Sequence, residues 1–218
     1  MTSSSLLALA DRPVMRGRLH LGAVVVVAPV GVVGVVAASG ARAITALSIY
    51  LAGLVVSFGV SAAYHRRDWS PSNRDRMQRV DHAAIHLLIA GTYVPVGLVA
   101  LPASWGVPLV AAVGSGAVVG AVRAILAPHR WRLAGYALYP ILGWAAVAVA
   151  PALWWHLSVA EIVLIITGGV VYTAGFPIML RKSPDPWPRV FGYHEVWHSF
   201  TVLAAGAHFA AVLSITLA

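Results

Sequence analysis

The chain has 218 residues, of which 60% are apolar and only 10% charged, with a mean hydropathy of +0.83. No soluble domain of this length needs so much apolar surface to build a core, so a soluble enzyme or water-exposed binding module is excluded and an integral membrane protein is indicated. The absence of cysteine excludes disulfides and thiolate ligands, which leaves histidine, carboxylate and water to hold any metal ion.

The apolar stretches are about 20 residues long, the length that crosses ~30 Å of hydrocarbon as a helix. They predict an all-α bundle of seven transmembrane helices over residues 19–39, 43–64, 79–101, 105–126, 132–151, 157–180 and 194–217. Small residues follow the first span, in Ala37-Ala38-Ser39-Gly40-Ala41, as they follow a signal peptide. Its apolar run is longer than the ~7–15 residues of a signal core, however, and further spans come at once, so it reads as a retained helix. Ser70-Pro71-Ser72-Asn73 offers caps for the third helix, and Pro184, Pro186 and Pro188 hold the approach to the seventh extended. Trp69, Trp131, Trp187 and Trp197 fall near one membrane boundary and Trp105, Trp154 and Trp155 near the other, as interfacial anchors do. Gly116 and Gly120 form a GxxxG packing pattern in the fourth span. With no second domain, low-complexity tract or internal repeat, the chain divides into a tail, residues 1–18, and one seven-helix domain, residues 19–218.

Of the 15 lysine and arginine residues, all but Arg42 fall in the N-terminal tail and in the second–third, fourth–fifth and sixth–seventh connections. The positive-inside rule then puts the N-terminus in the cytoplasm and, with seven spans, the C-terminus outside. The formal charge of +8 is thus a basic face toward anionic lipid, and no nucleic-acid partner is needed to explain it.

This topology places four ionisable residues in one layer at the cytoplasmic ends of three spans: His65, Asp81, His194 and His198. Ionisable groups at membrane depth are costly and mark function. His194 and His198, four apart, project from one helix face, and Ser61 and His65 repeat that spacing. Three histidines with water make the open arrangement of catalytic Zn2+, with Asp81 orienting the water or accepting its proton and Ser61 as a supporting or carbonyl-binding group. His82 and His86 form a competing i, i+4 pair in the third span, and His82 is about 100° of helical rotation from Asp81. His208 and Glu161 are expected to serve packing or water contact. His194-Glu195-Val196-Trp197-His198 also fits H-E-x-x-H, in which Glu195 would be the general base of an intramembrane peptidase.

Several motifs in order, Ser61-Ala62-Ala63-Tyr64-His65, Asp81-His82, Leu88-Ile89-Ala90-Gly91-Thr92-Tyr93-Val94-Pro95 and the run from Pro184 through His198, resemble the hemolysin III proteins, bacterial members of the progestin and adipoQ receptor group. The resemblance implies a multi-pass protein of the bacterial plasma membrane with a cytoplasmic N-terminus. It also implies zinc on His65, His194 and His198, with Asp81 touching it through water and Ser61 nearby. Leu19-His20-Leu21 departs from the Thr-His-Gly of many members, and His86 stands where relatives often have an aromatic residue.

These expectations join in a zinc-dependent hydrolase of a lipid amide or ester, ceramidase-like, with membrane lipid as both environment and substrate. The alternatives are a receptor, channel or haemolysin-like protein with structural zinc, and the H-E-x-x-H peptidase. Substrate identity and oligomeric state are not legible.

Overall fold

A computed structural model describes residues 12–130 and 132–218, with Arg132 described for its backbone alone; Trp131 and residues 1–11 of the predicted tail lie outside the described residues. The helices are α1 (Arg18–Ala37), α2 (Ala41–Arg66), α3 (Pro71–Pro95), α4 (Ala103–Leu126), α5 (Arg132–Gly143), α6 (Ala150–His156), α7 (Val159–Arg181) and α8 (Tyr193–Leu217). A π-helical turn, Val96–Ala100, prolongs α3, and a 3-10 stretch, Ala145–Val149, joins α5 to α6. Together these give seven helical spans long and apolar enough to cross a membrane, α5 and α6 forming the fifth. The protein is an all-helical, multi-pass membrane protein; its described residues hold no sheet, only a bridge between Trp187 and Phe191. Helices close their own backbone hydrogen bonds, which is the condition for lying in hydrocarbon.

The third span starts at Pro71 rather than 79. The added turns are polar, and they become helical because Pro71 occupies the first helical turn, where its fixed φ is suited and its missing N–H costs nothing. Ser70 sits at the cap position, but its side chain makes no capping bond.

The fifth span breaks where one helix was expected. Pro151 stands in the first turn of α6 and cannot donate back to the preceding turn. The hydroxyl of Tyr93 on α3 fills the break: it lies 2.9 and 2.8 Å from the carbonyl oxygens of Leu142 and Gly143 and accepts from the amide of Ala146 at 3.1 Å. Three backbone groups freed by the break are thus paired inside the bundle rather than left bare in lipid.

Lipid offers no hydrophobic drive between helices, so close approach through small residues does the packing. Gly97 of the π-helical turn meets Gly106 of α4 so closely that a Cβ on Gly106 would strike the Gly97 carbonyl. The two glycines of the GxxxG face different neighbours: Gly116 lies against Leu142 and Gly120 under the ring of His86. α8 is the hub, packed along α7 and also against α1, α2 and α3. Its inner face joins Tyr50, Leu54, Phe58 and Leu88 in a buried cluster through Ala205, Phe209 and Val212.

One end of the bundle is stitched by its loops. The amides of Val14 and Met15 donate to the carbonyls of Arg189 and Val190, Arg12 pairs with Asp68 at 3.1 Å, and Arg79 donates to the carbonyl of Ile125. Residues 12–17 are therefore a strap across the α7–α8 connection rather than a loose tail. Of the tryptophans at this end, Trp187 is exposed while Trp197 packs against Phe176 and Gly175. Trp105, Trp154 and Trp155 at the opposite end are exposed.

Candidate metal centre

His65 closes α2, and His194 and His198 occupy the first two turns of α8. The proline-rich approach to α8 is not extended throughout, as expected, but closes a turn over residues 187–191, where the amides of Val190 and Phe191 donate to the Trp187 carbonyl; the Glu195 side chain, which accepts from the Gly192 amide at 3.0 Å, fixes where the helix starts. One ring nitrogen from each of the three histidines lies within 4.8 Å of the other two, and the group could hold a metal ion. His65 Nε2 and His194 Nε2 are 3.1 Å apart. A zinc ion with Zn–N bonds of ~2.0–2.1 Å needs tetrahedral nitrogens about 3.3 Å from one another, and the His65–His194 pair stands close to that spacing. His194 and His198 are buried and His65 half-buried, and no carboxylate belongs to the set.

Asp81 of α3 is buried, and its carboxylate is hydrogen-bonded by the side chain of Ser61. Ser61 lies one turn before His65 on the same face of α2, so this bond holds the carboxylate within about one 5.4 Å turn of His65 along the bundle. Asp81 is outside the three-histidine set itself.

His20 joins this neighbourhood, although its local sequence assigns it no part in the site. Its ring stacks on that of His198, centroids 4.0 Å apart and planes within 8°, and on its other side against Phe58 at 4.3 Å. The Thr201 hydroxyl donates to the His198 carbonyl at 2.8 Å, so the 2.9 Å bond between His20 Nε2 and Thr201 Oγ1 is donated by His20. His20 Nδ1 is left buried and unpartnered. No local spacing could have signalled this, because His20 and Thr201 are 181 positions apart.

Over His65 opens a polar cleft of about 250 Å³, walled by the strap residues Arg12, Arg16 and Arg18 and by Arg66 and Asp68. The site is thus reached from the basic end.

The sequence profile described as Haemolysin-III related matches residues 9–209. This chain belongs to that family. Among similar proteins, the Hemolysin-3 homolog of Bacillus subtilis (strain 168) is 33% identical over 140 residues, which span 64% of this chain and 63% of that protein. Hemolysin-3 of Bacillus cereus is 28% identical over 177 residues, 81% of this chain and 78% of that one. Membership agrees with a multi-pass protein of the bacterial cell membrane, and the matched region contains Ser61, His65, Asp81, His194 and His198.

The remaining ionisable residues of this haemolysin-III protein are placed elsewhere. Glu195 is 1% exposed and ion-paired with Arg16, so both its oxygens are occupied, one by the guanidinium and one by the Gly192 amide. His86 turns toward α4: it lies over Gly120, 4.7 Å from the Tyr139 ring, with Nδ1 at 3.2 Å from the carbonyl of His82 and Nε2 unpartnered. The same carbonyl accepts from the Tyr139 hydroxyl at 3.3 Å. His208 contacts the carbonyl of Ile165 at 3.2 Å. Glu161 caps α7, accepting from the amide and hydroxyl of Ser158 at 2.8 Å each, and takes a further bond from Ser214.

Proposed function

We propose that this haemolysin-III family protein is a zinc-dependent membrane hydrolase that cleaves an amide or ester of a lipid entering from the cytoplasmic leaflet. The observation that supports it most is the convergence of three imidazole nitrogens, on helices α2 and α8, beside the buried Asp81–Ser61 pair. A structural clip needs the three ligands; it has no need of a buried carboxylate held one turn away by a serine.

In this reading His65, His194 and His198 hold the ion, which when bound supplies Lewis acidity that polarises a carbonyl and acidifies water. Asp81 takes the proton from the attacking water and delivers it to the leaving amine or alcohol. Ser61 keeps the carboxylate turned toward the site by donating to it, a role that fits its position between His65 and Asp81. The bundle excludes bulk water, which strengthens each of these interactions. The positive-inside distribution supports a cytoplasmic site, since the histidines share the end that carries all basic residues but Arg42.

A second reading is a non-enzymatic receptor or channel in which zinc ties α2 to α8; the 3.1 Å approach of His65 to His194 across those helices supports it. The peptidase reading has Glu195 as base, and its double engagement by Arg16 and the Gly192 amide counts against that.

The test compares Asp81→Asn with Glu195→Gln on purified protein assayed against N-acyl amides and acyl esters in mixed micelles. Asp81→Asn should lower turnover about 100-fold or more, in the ~10²–10⁴ range of a lost acid–base group, with zinc content kept. Glu195→Gln should stay within about threefold of wild type. Loss confined to Glu195→Gln would move the assignment to a peptidase, and absence of turnover in wild type to the clip.

A further inference from the structure

A groove of about 310 Å³ runs down the lipid-facing side of the bundle between α1, α2 and α8. We propose that it seats the acyl chain of the lipid substrate; this rests on the hydrolase reading and names the part of the substrate that the groove receives. Gly22 and Val26 of α1 form one wall, Val202 and Gly206 of α8 the other, and Leu54 and Phe58 of α2 the floor. The volume is at the lower end of small-ligand sites, ~300–1,000 Å³, as suits a single chain.

Its register with the histidines argues for an acyl chain. Val202 and Gly206 follow His198 at four and eight positions on one face of α8, so they lie about 6 and 12 Å deeper at 1.5 Å per residue. On α2, Phe58 and Leu54 precede His65 by seven and eleven positions, about 10 and 16 Å deeper. The groove therefore starts about one turn below the histidine layer and descends along it. A lipid whose carbonyl stands at that layer has its chain at the depth of the groove. A stack of rings connects the floor to the site, Phe58 on His20 and His20 on His198. At the upper rim Arg18 is one turn above Gly22 on the same face of α1, where a cation meets a lipid headgroup.

The glycines make the test clean. A Cβ added at Gly22 or at Gly206 meets no atom within 4 Å, so larger side chains there fill the groove without displacing the protein. Gly114 on α4 has the same open surroundings and is away from the groove.

An N-palmitoyl amide carrying a diazirine midway along its chain is incorporated with the full-length protein into lipid nanodiscs, photolysed, and the adducts mapped by mass spectrometry. Label should concentrate at Val26, Leu54 and Val202, be competed by unmodified N-palmitoyl amide, and fall at least tenfold in Gly22→Leu/Gly206→Leu with zinc content unchanged. Gly114→Leu should label as wild type does. Turnover by the double variant should show a raised KM with kcat nearly kept. Asp81→Asn should keep the labelling while losing turnover, so that label at the groove with no turnover by wild type upholds the groove and sinks the hydrolase reading. Label spread evenly over outward residues such as Val163 and Val170 of α7, or not competed in wild type, overturns the proposal, whatever the folding of the variants.

Discussion

Arg16 and Glu195 form an ion pair across 179 positions of sequence, clamping the strap before the first span to the first turn of the last. The carboxylate is 1% exposed and the guanidinium 23%, so the pair is mostly desolvated. Removing one partner of such a pair strands a charge and costs ~3–5 kcal/mol, whereas replacing both is often near neutral. Arg16→Met should therefore lower the melting temperature in detergent clearly, and Arg16→Met/Glu195→Gln should recover most of the loss. Equal melting of the single and double variants would show that the pair contributes nothing specific.

Zinc content follows from the three-histidine convergence. Protein purified without chelators should carry about one zinc per chain by elemental analysis, and His65→Ala, His194→Ala or His198→Ala should each lower occupancy sharply. His86→Ala should not, because that ring faces α4. Unstripped wild type free of zinc would refute the assignment of the metal.

Stability should depend on that metal. A ligand that binds only the folded state adds RT ln(1 + [L]/Kd), ~3–4 kcal/mol when free metal is about 100–1,000 times Kd. Chelation at neutral pH should lower the melting temperature and added zinc restore it. Imidazole must be neutral to ligate, so protons compete with the ion: the metal's contribution is complete near neutral pH and is lost as the pH falls toward about 5. A melting temperature indifferent to chelator over this range is the contrary result.

Tyr93→Phe should destabilise the bundle by about 2 kcal/mol, since the carbonyls of Leu142 and Gly143 and the amide of Ala146 lose a partner and unsatisfied buried groups cost ~1–3 kcal/mol each before relaxation. Thermal unfolding in detergent reads it. A loss no larger than that of an exposed control such as Val163→Ala would mean that water replaces the hydroxyl.

Orientation is accessible because the chain has no native cysteine. In whole cells Ser72→Cys should react only with a membrane-permeant reagent, and a cysteine appended after Ala218 with an impermeant one. The opposite labelling would put the histidine layer on the outer face.

Much of this architecture was legible in the sequence for a simple reason: seven spans satisfy most of their backbone bonds as helix, and their lengths and polar breaks record it. The three histidines were legible because two stand at i, i+4 and the third ends a span on the same side. What stayed hidden depends on distance in sequence. His20 meets His198 only through packing of the first helix on the last, and Arg16 finds Glu195 in the same way. Two further features carry local signals. Ser158 and Glu161 have the spacing of a capping box, which holds the glutamate more firmly than packing would. Pro140 and Pro151 announced that the fifth span would not be one helix.

The hub position of α8 bears on the order of events during synthesis. A chain made from its N-terminus delivers α1, α2 and α3 to the membrane long before residues 193–217 exist, and for that time His20, His65 and Asp81 stand in an incomplete bundle. The final helix brings both remaining histidines, the acceptor for Arg16 and the threonine for His20 in its first three turns. A chain cut short before α8 therefore lacks two of the three imidazoles that could hold a metal ion, and the candidate centre is complete only once the last helix has been made.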